Sequence, residues 1–252
     1  MPTDIQVFSD RAELSRAAAD TLVRYARQAV QDHGKFYLAL AGGSTPKQLY
    51  QLLSLAPYRD EIPWQDTHIY FGDERMVPHD HADSNFGMAS KAMFHNVPIP
   101  ETQIHPIPTD CPDAHECARQ YHDTLSKIPE HEDGTAPRFD LILLGMGTDG
   151  HTASLFPGTA ILQETRCNAA AEYVDKLDSW RISITYPVIN HAHHVIILVS
   201  GEDKAEMIGH ILRKMDISVP IQGVRPDGLL QWMLDTDAAK QLSGDMHADS
   251  DR

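Results

Sequence analysis

The sequence predicts an α/β fold in which a mainly parallel sheet is flanked by helices. Three observations carry that prediction. Residues 36–41 (FYLALA), 67–71 (THIYF), 140–144 (DLILL) and 194–199 (HVIILV) are short apolar runs, as in strands buried on both faces of a parallel sheet. Between them lie segments whose apolar residues recur at three- and four-residue steps, the spacing of a helix that covers such a sheet. Each run ends in glycines, hydroxyls or charged residues, at the carboxyl edge where open α/β sheets hold ligands.

A chain of 252 residues, 42% of them hydrophobic, can build one such domain with a real core. We expect a single domain over residues 1–252, with no internal repeat and a frayed polar tail at 244–252. No apolar run approaches a membrane span, and the first residues lack the basic and apolar regions of a signal peptide. Three cysteines, Cys111, Cys117 and Cys167, are odd in number and form no C-x-x-C pair, which argues against a disulfide framework or a cysteine zinc site. A cytoplasmic location follows as the expectation. A formal charge of −15 argues against nucleic acid. It also requires any anionic ligand to be held by a local cluster of cations.

Residues 10–33 have an apolar stripe of Leu14, Ala18, Leu22, Tyr25 and Ala29, with Asp10 and Glu13 placed as a capping box. The run at 36–41 leads into Gly42, Gly43, Ser44, Thr45 and Pro46, where Thr45 suits an N-cap and Pro46 the first helical position. Strand, glycine pair, hydroxyls and helix start make an anion cradle; an ordinary strand-to-helix turn has the same composition. The run at 67–71 ends in Gly72, Asp73, Glu74 and Arg75, and Arg75 can fork onto a phosphate or polarise a carbonyl, or simply form a surface ion pair. His79, Asp80, His81 and Asp83 allow a metal site in principle, but Asp83 or Ser84 equally caps a helix through Met88, Ala92 and Met93, and no metal is expected. Residues 98–113 form a proline-rich connector, 114–128 a surface helix and 131–135 a solvated loop.

The stretch DLILLGMGTDGHTASLFPG, residues 140–158, is the centre of the pattern. Gly145, Gly147 and Gly150 match G-x-G-x-x-G after a strand, yet Pro157 and Gly158 stop any helix too soon for a dinucleotide fold, and residues 168–172 do not form a buried strand. His151 leaves the strand's carboxyl edge, where a histidine is a candidate for proton transfer. Farther on, residues 181–186 alternate as a strand, Lys204 opens a helix against its dipole, where a bound anion or plain solvation accounts for it, and a last helix is expected over 228–242.

Five segments in order resemble 6-phosphogluconolactonases: LAGGSTP at 40–46, GDER at 72–75 with DSN at 83–85, LLGMGTDGHTASLFPG at 143–158, RIS at 181–183 and GEDKA at 201–205. The resemblance spans nearly the whole chain. The related glucosamine-6-phosphate deaminases share the glycine loop and the D-G-H, but continue into I-A-F-N-E-P and carry D-E-Y, where this chain has TASLFP at 152–157 and DER at 73–75. The resemblance implies a Rossmann-like three-layer fold without a nucleotide or other cofactor, acting on a sugar-phosphate lactone. It implies hydrolysis of 6-phospho-D-glucono-1,5-lactone in the oxidative pentose phosphate pathway, by a monomer or small homo-oligomer. It makes His151 the general base, with Arg75 and Asp73 facing the sugar ring or the developing oxyanion; Asp149, two residues before His151, is a candidate to orient the imidazole as a triad carboxylate does. Gly42, Gly43, Ser44, Thr45 and Asn85 would line the pocket, and Arg181 and Lys204 would neutralise the phosphate. The chain departs from the family pattern at Ala41, often Ser, and at His191 and His193, where smaller or basic residues are expected. A binding module without turnover would keep the cradle but have no need of His151.

Overall fold

A computed structural model describes residues 3–129, 136–213, 215 and 218–242. The loop expected at 131–135 and the tail expected at 244–252 lie outside them. The chain runs β1 (Thr3–Phe8), α1 (Arg11–His33), β2 (Phe36–Leu40), α2 (Ser44–Leu53), α3 (Tyr58–Glu61), β3 (Thr67–Phe71), β4 (Asp73–Arg75), α4 (Asn85–Ala92) and α5 (Ala114–Leu125). It continues with β5 (Leu141–Leu144), β6 (Ala169–Val174), β7 (Ser179–Ile184), α6 (Tyr186–Asn190), β8 (His194–Val199), α7 (Ala205–Leu212) and β9 (Leu229–Asp235).

Six strands form one sheet in the order β1-β9-β8-β5-β2-β3, every neighbouring pair parallel. The α/β expectation therefore holds, with helices flanking a parallel sheet. All four residues of β5 are buried, which is why its sequence is uniformly apolar. A smaller antiparallel sheet, β4-β7-β6, stands beside the carboxyl edge of the main one. The chain order reverses between β2 and β5, so their carboxyl ends flank the crevice where such sheets take ligands. Two buried tyrosines pin the strand ends there. Tyr50 from α2 donates to Ala41 O at 2.8 Å and accepts from Ala41 N at 2.9 Å, and Tyr121 from α5 does the same for Phe71.

Several expectations are corrected. The segment expected as a final helix over 228–242 is instead β9, a strand between β1 and β8 followed by turns. Its buried run Leu230, Gln231, Trp232, Met233, Leu234 has no polar face in either period, so periodicity could not separate the two states. Residues 168–172, which do not read as a buried strand, overlap β6, an edge strand of the small sheet whose middle is only partly buried. The edge strand β1 went unrecognised, its Ile5 and Val7 facing solvent. α2 begins at Ser44 with Gly43 as its N-cap, so Thr45 is not the cap; it lies buried in the first turn. Cys111 and Cys117 are joined by a disulfide, Cα atoms 5.4 Å apart, and Cys167 is free and exposed. The six-residue separation suffices because the connector folds back onto the first turn of α5. No helix among the described residues is long and apolar enough to cross a membrane.

Candidate active site

A cleft of about 440 Å³ opens at the carboxyl ends of β2, β5 and β8. Its wall is built by the turn from β2 into α2, the loop after β5, the loop after β8, and Asp73, Arg75 and Asn85 from the side of the small sheet. Of the residues expected in the site, Gly42, Gly43, Ser44, Thr45, Asp73, Arg75, Asn85, His151 and Lys204 all line this one cleft.

His151 is held by its own loop. Its Nδ1 lies 2.5 Å from Asp149 Oδ1. An ionised carboxylate only accepts, so Nδ1 donates to it and Nε2 is the ring nitrogen left for a ligand. The ring stacks on Phe156 with centroids 4.2 Å apart. Gly147 must be glycine here, because a Cβ would overlap the His151 ring. Asp149 stands behind His151 rather than on the cleft wall. Partial burial pushes its carboxyl upward, but hydrogen bonds from Lys176 and His151 outweigh that and bring it down to about 2.

The opposite wall is fixed by buried carboxylates. Asp73 accepts from Ser154 Oγ at 2.6 Å and from Asn85 Nδ2 at 3.1 Å. Ser154 follows Ala153, whose φ of 46° turns the His151 loop back toward the small sheet. Gly42 makes room for the Asn85 amide, which a Cβ would strike. Arg75 donates to the Asp83 carbonyl at 2.5 Å, and its buried Nε has no partner among the described residues. Arg181, expected on the phosphate, does not line the cleft; it sits opposite Arg75 in the β4–β7 register. Burial and the adjacent Arg75 lower its pKa, and its Nε is likewise buried without a partner. The carboxylates of Asp73, Asp83 and Glu74 offset part of this crowding of two guanidiniums.

In the same cleft, no side chain caps α2, so the N–H groups of its first turn are free for a ligand at the positive end of the helix dipole. Lys204 closes a single 3-10 turn ahead of α7, pairs with Asp203 at 2.6 Å and lines the same cleft. Three contributors escaped the sequence reading. Arg11 and Ser154 look like ordinary first-turn and loop residues, although Arg11 opposes a helix dipole in the same way as Lys204. Lys176 lies in a stretch without periodicity. The His79 cluster disperses, with His79 Nε2 on the Ile107 carbonyl at 2.9 Å and His81 Nδ1 accepting from Asp83 N at 3.1 Å.

A family profile described as glucosamine-6-phosphate isomerases/6-phosphogluconolactonase matches residues 9–232. The chain belongs to this family. Within it, a 6-phosphogluconolactonase of Synechocystis sp. is 38% identical over 96% of this chain and 99% of its own length. One of Mycobacterium tuberculosis is 35% identical over 96% and 99%. Among solved structures, 6-phosphogluconolactonase from Trypanosoma cruzi superposes with a TM-score of 0.84 at 31% identity, covering 96% of this chain and 97% of that one. A monomeric glucosamine-6-phosphate deaminase shares the fold, with a TM-score of 0.75 at 19% identity, over 96% of this chain and 100% of that one.

Proposed function

We propose that this chain hydrolyses 6-phospho-D-glucono-1,5-lactone to 6-phosphogluconate. Its full-length similarity to proteins named 6-phosphogluconolactonase supports the substrate. The observation that carries the reading is a histidine with one nitrogen tied to a carboxylate, in the same cleft as an uncapped helix N-terminus and a lysine. The first is a proton acceptor and the second a seat for phosphate.

In this mechanism, the 6-phosphate rests against Ser44, Thr45 and Lys204, which places the lactone ring between His151 and Arg75. His151 Nε2 takes a proton from water as its oxygen bonds to the lactone carbonyl carbon. Asp149 keeps the imidazole in the productive tautomer and stabilises the imidazolium, the part a triad carboxylate plays. Arg75 faces the oxyanion that develops on the carbonyl oxygen. The ring carbon–oxygen bond then breaks, His151 returns its proton to the ring oxygen, and the new carboxylic acid ionises to water. No acyl-enzyme and no cofactor takes part.

The test couples glucose-6-phosphate dehydrogenase to 6-phosphogluconate dehydrogenase and follows NADPH at mildly acidic pH, where the lactone opens slowly by itself. Adding this protein should accelerate the second phase of NADPH formation. His151→Asn should lose about 10²–10⁴-fold in kcat, the usual worth of a general base. No acceleration by the wild type would reject the activity; undiminished activity in His151→Asn would reject the mechanism.

A further inference from the structure

We propose that Arg11 is a second cation of the phosphate seat, gripping the substrate's phosphate together with Lys204 and the first turn of α2. This rests on the lactonase reading of the cleft. Arg11 comes from outside every motif that the cleft is built on: it is the first residue of α1 and reaches the cleft from the end of β1. Its guanidinium is held in place. Nε donates to Ser200 Oγ at 2.8 Å, and the Ser200 hydroxyl in turn donates a hydrogen bond to the Asp235 carboxylate, which also accepts from Gly201 N at 3.1 Å and Ala238 N at 2.8 Å. The link to Asp235 therefore fixes the guanidinium plane without neutralising it directly.

One of five N–H groups is committed by that bond, and the rest form the fork that matches two phosphate oxygens. Among the described residues Arg11 has no ion pair, whereas the Lys204 ammonium is shared with Asp203 at 2.6 Å. Asp203 feels both cations, Lys204 first and Arg11 last and least. Arg11 thus brings to this end of the cleft a positive charge that no carboxylate contact cancels, in a chain whose net charge is −15. A dianionic phosphate supplies the missing partner, so Arg11 selects the phosphorylated lactone over the same ring without phosphate.

The experiment compares Arg11→Gln, Arg11→Lys and Arg16→Gln with the wild type, using the phosphorylated lactone, unphosphorylated glucono-1,5-lactone and inorganic phosphate as a binding probe. Arg16 is an exposed cation of the same helix that does not line the cleft, and it controls for bulk charge. Arg11→Gln should raise KM for the phosphorylated lactone roughly tenfold or more, the scale of a charge-assisted hydrogen bond, with kcat within about twofold. Unphosphorylated lactone should be unaffected, Arg11→Lys should recover part of the loss, and Arg16→Gln should match the wild type. A KM unchanged in Arg11→Gln, or raised equally for both lactones, overturns the proposal and leaves the lactonase reading intact. If the wild type turns over neither lactone, that reading falls instead, and calorimetric titration with inorganic phosphate still decides Arg11: weaker binding in Arg11→Gln upholds its role, and equal binding ends it.

Discussion

Lys176 extends from the turn between β6 and β7 to the far oxygen of Asp149, and its ammonium also lies 4.6 Å above the Phe156 ring on which His151 stacks. Two residues in the central motif and one outside it therefore surround the proposed base. Lys176 shares the Asp149 charge with His151 and so limits how strongly that carboxylate holds an imidazolium. Replacing Lys176 by Met leaves the whole carboxylate charge to His151, which favours the protonated ring. The acid limb of kcat/KM should move to higher pH, and kcat/KM at pH 6 should fall roughly two- to fivefold, as ~0.4–1 kcal/mol from a half-exposed pair permits. A pH–rate profile superimposable on the wild type would show that the contact has no bearing on the base. His151 and Asp149 were legible because their chemistry and spacing sit together in seven residues. Lys176 and Arg11 were not, because a long flexible cation declares its target only when the fold brings a distant element beneath it.

Among the elements, α4 depends on a carboxylate from another strand. Glu74, 1% exposed, accepts from Asn85 N at 2.7 Å, Phe86 N at 2.8 Å, Ser84 Oγ at 3.0 Å and Arg75 N at 2.9 Å. A buried charge is tolerated when its lone pairs are filled in this way and when it faces a helix N-terminus. The same bonds hold Asn85 against Asp73, so Glu74 positions the cleft wall without lining it. Glu74→Gln keeps the shape but turns an amide N–H₂ toward N–H donors. It should cost about 1–3 kcal/mol, or roughly 2–4 °C in Tm per kcal/mol for a chain of this size, and lower kcat/KM as Asn85 and Asp73 loosen. A thermal melt that coincides with the wild type's would remove Glu74 as the cap. The sequence narrows the cap to Asp83 or Ser84 and predicts the helix after it, because a cap is local; the structure takes Ser84, whose Oγ accepts from Gly87 N at 3.0 Å. Sequence reasoning missed the Glu74 cap because the two partners lie ten residues and a loop apart. For the same reason the sequence predicts a helix where β9 lies: only its neighbours β1 and β8 make its uninterrupted apolar run a strand.

Across the whole molecule, the proposed catalytic groups gather at the carboxyl edge of the sheet, and histidines gather at the opposite edge. His68 Nδ1 lies 3.3 Å from His105 Nε2, His105 stacks on Tyr70 with centroids 4.4 Å apart, and His194 stacks on Tyr25 at 3.7 Å. Burial lowers the pKa of each, and His68 and Lys127 help bring His105 down to about 4. A histidine whose pKa is depressed in the folded state takes up protons more readily when the chain unfolds. Its contribution to stability is therefore complete above the ordinary value near 6.5 and is lost as pH falls from there toward 4. The overall charge works in the other direction. With 36 acidic and 21 basic side chains, protonation relieves self-repulsion and favours the compact state. The two effects have opposite signs, so the urea midpoint between pH 7.5 and pH 5 decides which dominates. Contact between the paired imidazoles, short-ranged and half-buried, should outweigh diffuse repulsion that salt screens, and the midpoint should fall on acidification. His105→Phe keeps the stack on Tyr70 but cannot be protonated, and should flatten that fall. A midpoint that rises toward pH 5, or the same slope in His105→Phe, would assign the pH dependence to net charge instead.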